Sequence, residues 1–294
     1  MTPGPTGAHA TKVLLTGAAG VLGKALTALL ADDPGIELRL TDMVPMDTPL
    51  EFVQADLTNK GEVAPLCDGI DELVHPASVH PWKSYSSAQY LDCNVKGTYN
   101  ILEAAAEGPV RRVIYTSSIA AMGMGRNEGI PLPWDESKPC IPEGHLYSIT
   151  KHVGEQFCEL FRQQGKLSYV ALRPGTFIPM DERDPQFGRG LLMQWVHFSD
   201  VAAAHWLALR STVENEAFVI TAGVPFTNAD SAALLSDARS VITRHYPRAA
   251  ELAARGIELP RTIERCYDIG KAKRLLGYRP RYTFANWLEE VLSR

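Results

Sequence analysis

The sequence predicts an α/β protein with a doubly wound parallel sheet and a small, mostly C-terminal lobe. Two observations predict this fold. Short apolar runs alternate with helical stretches through most of the 294 residues, which is typical of βαβ units. After about residue 174 the alternation loosens into a segment rich in proline, glycine and charge, which indicates a second lobe. The composition, 45% hydrophobic and 21% charged, suits a globular chain that buries a large core.

The elements follow in order along the chain. The apolar runs predict strands at residues 12–16, 37–41, 50–54, 72–75, 112–116, 168–173 and 217–221. The predicted helices span residues 20–31, 60–66, 86–107, 145–164, 200–209 and 229–245, and two short helices follow around a turn at 277–280. In the first helix the spacing predicts one apolar face made of Val21, Leu22, Ala25, Leu26 and Leu29. A loop is predicted at residues 179–190.

Three segments organise the chain. Residues 1–11 are predicted to be a disordered tail, and residues 12–175 to be the main core. Residues 176–294 form a mixed segment, in which about 197–222 complete the core and the remainder makes the small lobe. Because ligands bind outside the carboxyl ends of the strands in such sheets, we expect a cleft between core and lobe.

Composition excludes several classes of function. With 29 basic and 34 acidic side chains, the net charge of -5 leaves no basic excess for nucleic acid. No apolar run approaches the roughly 20 residues that cross a bilayer, and no signal peptide is visible, so we expect no membrane partner. The five cysteines are scattered without a CxxC pair, which predicts neither disulfides nor a metal site and fits the cytoplasm.

A glycine-rich turn follows the first predicted strand. Gly17, Gly20 and Gly23 stand in TGAAGVLG, so backbone N–H groups and the start of a helix can approach a pyrophosphate. Three glycines also occur in plain turns, but Asp42 follows the second strand, where a carboxylate accepts hydrogen bonds from an adenosine ribose and repels a 2'-phosphate. The pattern predicts NAD rather than NADP, and Arg39 does not change this because it lies inside the second strand.

Asp56 follows the third predicted strand and leaves two interpretations open. Its carboxylate can accept a hydrogen bond from an adenine amino group. Equally, it can cap the short helix that follows.

Tyr147 and Lys151 form a Y-x-x-x-K pair at the start of a predicted helix. The i, i+4 spacing places both side chains on one face, where an ammonium lowers the pKa of a nearby phenol from about 10. Such pairs are also common on solvated helix faces. Ser117 and Ser118 end the neighbouring strand, however, and a serine hydroxyl there can bind the oxygen that Tyr147 protonates, which favours a site for general acid–base chemistry.

Together these motifs resemble the extended short-chain dehydrogenase/reductases, in particular the NAD-dependent epimerase/dehydratase group. The resemblance covers nearly the whole chain, through TGAAGVLG, HPAS, NVKGT, YTSS, YSITK, LRPG, HFSDVA and DIGKAKRLLGYRPRY. It implies a Rossmann fold and a homodimer built from two long helices. It also implies a catalytic set of Ser118, Tyr147, Lys151 and Asn94. The residues that it implies for NAD binding are Gly17, Gly20, Val21, Leu22, Gly23, Asp42, Asp56, Leu57, Pro76, Ala77, Ser78, Asn94, Thr116, Tyr147, Lys151 and Pro174.

The segment after the sixth strand decides which branch of the family the chain resembles. Nucleotide-sugar enzymes carry a long insert there, whereas here only residues 179–196 intervene, as in the compact uronate dehydrogenases. The chain departs from that branch at Ile119 and Ala120, which replace an Asn-His pair, and at Gly190, where Arg189 lies one step away from the expected arginine. We therefore expect a less acidic, sugar-like substrate. The residues predicted to bind it are Ser78, Trp82, Ser118, Ile119, Ala120, Tyr147 and Arg189, with His80, Lys83, Tyr85 and Arg126 as further candidates.

The sequence thus predicts an NAD-dependent oxidoreductase that transfers a hydride between nicotinamide and a hydroxyl or carbonyl of a small substrate. A redox-neutral nucleotide-sugar epimerase with the same triad is the alternative. A dehydratase is disfavoured because Ile119 and Ala120 supply no acid after the serine. A non-catalytic NAD(P)-sensing protein is a more distant alternative, since such proteins generally lose the tyrosine or the lysine.

Overall fold

The computed structural model describes residues 10–123, 125, 129–177 and 179–293. Most of the predicted tail and the candidate Arg126 lie outside these residues. The tail prediction extends one residue too far, because Thr11 already pairs with Ile36 in the sheet.

The described residues form one sheet of seven parallel strands, which confirms the predicted doubly wound α/β fold. The strands are β1 (Thr11–Thr16), β2 (Ile36–Asp42), β3 (Glu51–Gln54), β4 (Glu72–His75), β5 (Arg112–Thr116), β6 (Ser168–Pro174) and β7 (Glu216–Ile220). Their spatial order is β3-β2-β1-β4-β5-β6-β7, and every pairing is parallel. The order reverses between β1 and β4, and a crevice for ligands forms at such a reversal.

The helices connect the strands and build the C-terminal lobe. They are α1 (Val21–Ala31), α2 (Lys60–Val63), α3 (Ser87–Gln89), α4 (Thr98–Glu107), α5 (Leu146–Gln163), α6 (Pro185–Leu191), α7 (Phe198–Arg210), α8 (Ser231–Ser236), α9 (Ala238–His245), α10 (Gly270–Leu275) and α11 (Phe284–Leu292). A π-helix, Tyr90–Gly97, joins α3 to α4 where the sequence predicts one regular helix. Among the described residues, no helix is long and apolar enough to cross a membrane.

Alternating residues of each strand face the two sides of the sheet, so both faces are covered by helices. In β1, Val13 and Leu15 belong to the apolar cluster beneath α1 and α7, whereas Leu14 belongs to the cluster beneath α4 and α5. This layering places the amino-terminal ends of α1 and α5 beside the carboxyl ends of the strands.

The predicted apolar face of α1 is partly wrong. Leu22, Leu26 and Leu30 are buried at i, i+4 and i+8, whereas Val21 and Leu29 are 39% and 37% exposed. The buried stripe packs on α7 and the sheet, while Val21 at the start of the helix borders the cleft described below.

Two segments of the second lobe also differ from their prediction. Residues 179–190 include the start of α6, which the sequence itself explains: Asp184 accepts a hydrogen bond from Gln186 N–H as the N-cap, and Pro185 occupies the first turn. The single helix predicted at residues 229–245 is broken at Asp237, whose side chain caps α9.

Candidate active site

A cleft of about 620 Å³ lies at the carboxyl ends of the strands, where the strand order reverses. The turns that follow β1 to β5 line one side of it, and Tyr147 and Lys151 of α5 line another. The cleft lies outside the carboxyl ends of the strands, and of the described residues after 175 only Phe177 and Pro179 line it. The predicted site residues along its wall are Gly17, Gly20, Val21, Leu22, Gly23, Asp42, Asp56, Leu57, Pro76, Ala77, Ser78, Trp82, Thr116, Tyr147 and Lys151.

The glycine turn after β1 is packed too tightly for side chains. Gly17 has φ +62°, and a Cβ there would lie 2.8 Å from the Cα of Ala77. At Gly23 a Cβ would lie 2.1 Å from the Gly17 carbonyl oxygen. Gly20 precedes α1 and offers no side-chain cap, so the N-terminus of the helix faces the cleft with backbone alone. This arrangement fits a pyrophosphate lying across the turn.

Asp42 ends β2 at the far end of the cleft. Its Oδ2 accepts a hydrogen bond from Ala19 N–H at 2.9 Å, and its Oδ1 accepts one from Val44 N–H at 2.9 Å. These bonds fix the carboxylate against the glycine turn, and each oxygen keeps a further lone pair for a ribose hydroxyl.

Asp56 and Leu57 line the same end of the cleft, after β3. Oδ1 of Asp56 accepts a hydrogen bond from Thr58 N–H at 2.9 Å. The N-cap of α2 is Asn59, which accepts from Gly61 N–H at 3.2 Å. The helix-capping interpretation of Asp56 is therefore wrong, and its carboxylate stays available to the cleft.

His75 ends β4 directly below the cleft and is fully buried. Its Nδ1 lies 2.7 Å from the Thr16 hydroxyl and its Nε2 lies 3.1 Å from the Thr98 hydroxyl. Burial lowers the pKa of His75 to about 3, with a smaller contribution from the Lys151 charge. A neutral imidazole that bridges two threonines supports the turn of Pro76 and Ala77, as expected for a packing residue without a catalytic role.

Tyr147 and Lys151 lie side by side in the first two turns of α5. The helix is capped by His145, whose Nδ1 accepts a hydrogen bond from Tyr147 N–H at 3.0 Å. Both side chains are buried, at 6% and 2% exposure, yet both border the cleft. Lys151 Nζ donates to the Thr116 carbonyl at 2.8 Å and lies 5.8 Å from the centre of the Tyr147 ring. The pair is therefore not part of a solvated helix face.

Burial dominates the protonation of both groups. It raises the pKa of the Tyr147 phenol above its usual range, while a hydrogen bond with Ser118 lowers that pKa. Burial lowers the pKa of Lys151 to about 7, and the charge of Glu155 raises it. The expected lowering of the Tyr147 pKa by Lys151 is thus outweighed, because desolvation favours the neutral form of each side chain.

Ser118 follows β5 and connects the sheet to Tyr147. Its Oγ accepts a hydrogen bond from Ala120 N–H at 3.1 Å, which caps the 3₁₀ turn Ile119–Met122. Ile119 and Ala120 are 2% and 5% exposed. Ile119 packs in the core, and Ala120 packs with Tyr147, so among the described residues their side chains do not belong to the cleft wall.

Asn94 lies within the π-helix, behind the cleft wall. Its Oδ1 accepts a hydrogen bond from Val79 N–H at 2.8 Å, and its Nδ2 donates to the Val79 carbonyl at 3.0 Å and to the Thr150 hydroxyl at 3.2 Å. These bonds hold the turn after β4 against α5. A π-helix often marks a functional site, and here it carries the amide side chain whose hydrogen bonds join these two elements.

Two predicted residues lie farther away. Pro174 is the last residue of β6 and pairs with Ile220, while Phe177 and Pro179 reach the cleft from the loop that follows. Arg189 donates toward the Glu258 carbonyl at 3.5 Å and is outside the cleft wall formed by the described residues.

An aromatic wall surrounds the Tyr147 end of the cleft. The His80 ring lies 4.7 Å from the Tyr147 ring and 4.8 Å from the Trp82 ring, and Trp82 lies 5.9 Å from Phe177. Burial lowers the pKa of His80 to about 3, so this wall is uncharged near neutral pH. Phe177 was not among the predicted site residues, and its position three residues after the predicted Pro174 was the signal that could have identified it.

A buried ion pair, which was not predicted, joins α5 to β6. Arg173 donates to both oxygens of Glu155, at 2.9 and 2.7 Å, and the Ser117 hydroxyl donates to Glu155 Oε1 at 2.5 Å. Potential ligand atoms of Cys140 and His152 lie within 4.8 Å of this carboxylate. Because Arg173 and Ser117 already occupy the Glu155 oxygens, we assign no metal there.

The glycine turn, the carboxylate after β2 and the buried tyrosine–lysine pair define a dinucleotide-dependent α/β enzyme. The chain belongs to the NAD dependent epimerase/dehydratase family, whose profile matches residues 13–192. Both the predicted family and the predicted NAD cofactor are confirmed, and the chain is an enzyme of this NAD-dependent family.

Individual relatives extend this result. Uronate dehydrogenase from Pseudomonas syringae pv. tomato is 33% identical over 195 residues, which are 65% of this chain and 66% of that protein, just under two thirds. Uronate dehydrogenase from Pseudomonas putida is 31% identical and covers 65% and 68%. A solved short-chain dehydrogenase/reductase superfamily protein from Agrobacterium tumefaciens, with bound NAD, has a TM-score of 0.70 at 22% identity and covers 96% of each chain. That last likeness is one of fold.

Proposed function

We propose that this protein is an oxidoreductase that transfers a hydride between NAD and a hydroxyl or carbonyl carbon of a small sugar-like substrate. The observation that carries the proposal is the burial of Tyr147 and Lys151 together on the cleft wall, where Lys151 bonds the end of β5 that Ser118 follows. Similarity to two uronate dehydrogenases supports the class of reaction.

The turn around Gly17 and Gly23 fits the pyrophosphate of NAD, because its backbone packs closely without side chains and leaves the N-terminus of α1 uncapped at the cleft. Asp42 would hold the adenosine ribose and repel a 2'-phosphate. Asp56 and Leu57 would lie beside the adenine. When bound, NAD supplies the hydride acceptor or donor for the reaction.

Tyr147 is the general acid–base group of this proposal. In the direction of oxidation its phenolate oxygen takes the proton of the substrate hydroxyl, and the Ser118 hydroxyl holds that oxygen in place. Lys151 in its protonated form favours the phenolate and would also bind the nicotinamide ribose. Asn94 acts at a distance, since it fixes the turn after β4 that forms the opposite wall.

The charge of the cleft wall bears on the substrate. Among the described residues that line the cleft, the cations are Lys83 and Lys151, and Arg189 is bonded elsewhere. Among the described residues of the cleft wall, a sugar acid would therefore meet lysines but no arginine. The apolar face of a sugar ring can instead pack on Trp82, which is 37% exposed, while Ser78 offers a hydroxyl beside it. These features favour a neutral sugar-like substrate over a uronate.

The test is NADH accumulation when purified protein meets NAD and a panel of free aldoses, uronates and nucleotide sugars. We expect NADH with a free sugar in the wild type and a loss of turnover in Tyr147→Phe, with NAD affinity retained. Tyr99→Phe is the matched control, because Tyr99 lies on α4 and bonds Glu103. A changed nucleotide sugar without net NADH would overturn the proposal in favour of an epimerase. Function that survives in Tyr147→Phe would favour a binding protein.

A homodimer through α4 and α5 belongs to the same proposal. Phe161 of α5 is used by the core, at 3% exposure. Ile149 and Leu160 of the same helix are 45% and 40% exposed, and they offer the apolar surface that a partner's helices would cover.

A further inference from the structure

The buried pair of Glu155 and Arg173 lies directly behind the catalytic helix. The side chains of the two residues are 9% and 8% exposed, and the guanidinium of Arg173 forms a two-pronged bond to the carboxylate. Such a fork fixes the orientation of a carboxylate more firmly than a single bond does. Glu155 therefore has a defined position and is shielded from solvent.

That position relates Glu155 to two parts of the active site. Glu155 follows Lys151 by four residues on α5, so the two side chains lie on the same face of the helix. Its Oε1 also accepts the Ser117 hydroxyl, and Ser117 precedes Ser118 at the end of β5. One carboxylate thus contacts the turn that carries the serine and lies one helical turn from the lysine.

We propose that Glu155 is a positioning residue of the active site, which keeps the Lys151 amine in its protonated form and holds the Ser117–Ser118 turn, with Arg173 fixing the carboxylate. Only the kinetic consequence of this inference rests on the proposed function. The effect on Lys151 itself is a property of the protein without substrate.

Electrostatics support the geometry. Burial lowers the pKa of Lys151, and Glu155 is the charge that raises it. The other groups that face Lys151 come from several elements, and none carries a negative charge near neutral pH: Tyr147 on α5, Tyr115 on β5, His75 on β4, His80 in the following loop and His205 on α7. Those that face Glu155 are Arg173, Ser117, Lys151, Tyr115, Cys140, His152, Cys158 and Tyr169.

The test measures Lys151 directly, by NMR of protein labelled with ¹³C at the lysine ε-carbon, with and without NAD. The Lys151 signal is assigned from its loss in Lys151→Arg. We expect a titration midpoint about one pH unit lower in Glu155→Gln than in the wild type, because an opposite charge has been removed from a buried site. Glu155→Asp should recover most of the shift.

Glu159→Gln is the matched control. Glu159 lies one turn farther along α5 and bonds Arg162 at 2.6 Å, so the substitution removes the same charge at a greater distance from Lys151. Its midpoint should equal that of the wild type. Equal midpoints in Glu155→Gln and Glu159→Gln would overturn the proposal, whatever the enzyme turns over.

Kinetics provide a second readout once a substrate is known. The ratio of wild-type to Glu155→Gln kcat should be near one below the Lys151 titration and rise to about tenfold above it, since the variant loses the lysine proton earlier. A loss that is the same at every pH would indicate a merely structural role and overturn the proposal. Absence of turnover in the wild type would refute the proposed function and leave the NMR result standing.

Glu155→Gln leaves Arg173 buried without its partner, so the variant can unfold. The double variant Glu155→Gln/Arg173→Met removes both charges, so no unpaired charge stays buried and the Lys151 titration can still be measured. Its Lys151 midpoint should lie between those of the wild type and Glu155→Gln, because the nearer charge of the pair is the negative one. A midpoint at or above the wild-type value would overturn the proposal.

Discussion

Replacing Gly17 with alanine tests how the turn after β1 shapes the cleft. The residue has φ +62°, a region that costs an L-residue roughly 1–2 kcal/mol. The new Cβ would also lie 2.8 Å from Ala77 Cα and 3.0 Å from Ala77 N, so the backbone of the opposite wall must move. We expect Gly17→Ala to lower the free energy of unfolding by about 3 kcal/mol and to weaken NAD binding at least about tenfold.

Gly69→Ala separates the cost of the positive φ from the cost of the contact with Ala77. Gly69 has φ +69°, but a Cβ there would meet nothing within 4 Å, so only the backbone term of about 1 kcal/mol remains. Urea unfolding would give the stabilities, and calorimetric titration would give the NAD affinities, which Gly69→Ala should not change. The reasoning is refuted if the two variants lose equal stability, or if Gly17→Ala binds NAD as the wild type does.

Three further predictions concern the cofactor, the buried histidines and the dimer. Asp42→Ser should lower the kcat/KM preference for NAD over NADP by about tenfold or more, because a 2'-phosphate is no longer repelled; an unchanged ratio would contradict the role of Asp42. Burial lowers the pKa of His75 to about 3 and that of His205 to about 4. Below about pH 6.5 the unfolded chain therefore binds more protons than the folded chain does. The free energy of unfolding should fall by roughly 1.4 kcal/mol per pH unit for each histidine as the pH drops from about 6.5 toward these lowered pKa values. Unfolding midpoints at pH 7 and 5, with imidazole NMR signals that stay neutral at pH 5, check this. Ile149→Glu should convert dimer to monomer in sedimentation equilibrium, whereas Leu235→Glu, at a 50% exposed site on α8, should not.

The strands and the glycine turn could be predicted from sequence because the signal is local. Residues 72–75 and 112–116 are apolar runs bounded by turns, and the predicted ends agree with β4 and β5. Gly23 is needed where the start of α1 approaches the Gly17 carbonyl a few residues earlier in the chain. In each case, residues within the segment determine its local structure.

The parts that sequence did not predict depend on contacts between distant segments. Phe177 reaches Trp82 across 95 positions, and Arg173 meets Glu155 only because β6 packs behind α5. The π-helix was not predicted either. The break at Asp237 had a local signal that the prediction overlooked, because an aspartate caps α9 there. Arg189 was predicted to bind the substrate because it lies near the expected position in sequence. In the structure it bonds a carbonyl outside the cleft.

Burial of the tyrosine and lysine has opposite consequences for their chemistry. A dry site strengthens the effect of a nearby charge, which is what an acid–base pair needs. The same dryness favours the neutral forms, so it raises the pKa of Tyr147 and lowers that of Lys151. A neutral lysine cannot stabilise a phenolate, so the pair works only if another buried charge keeps the lysine protonated. Among the charges around Lys151, Glu155 has the required sign, and its own burial is made possible by Arg173. In the proposed function, the ion pair behind the helix is therefore a condition for burying Tyr147 and Lys151 together.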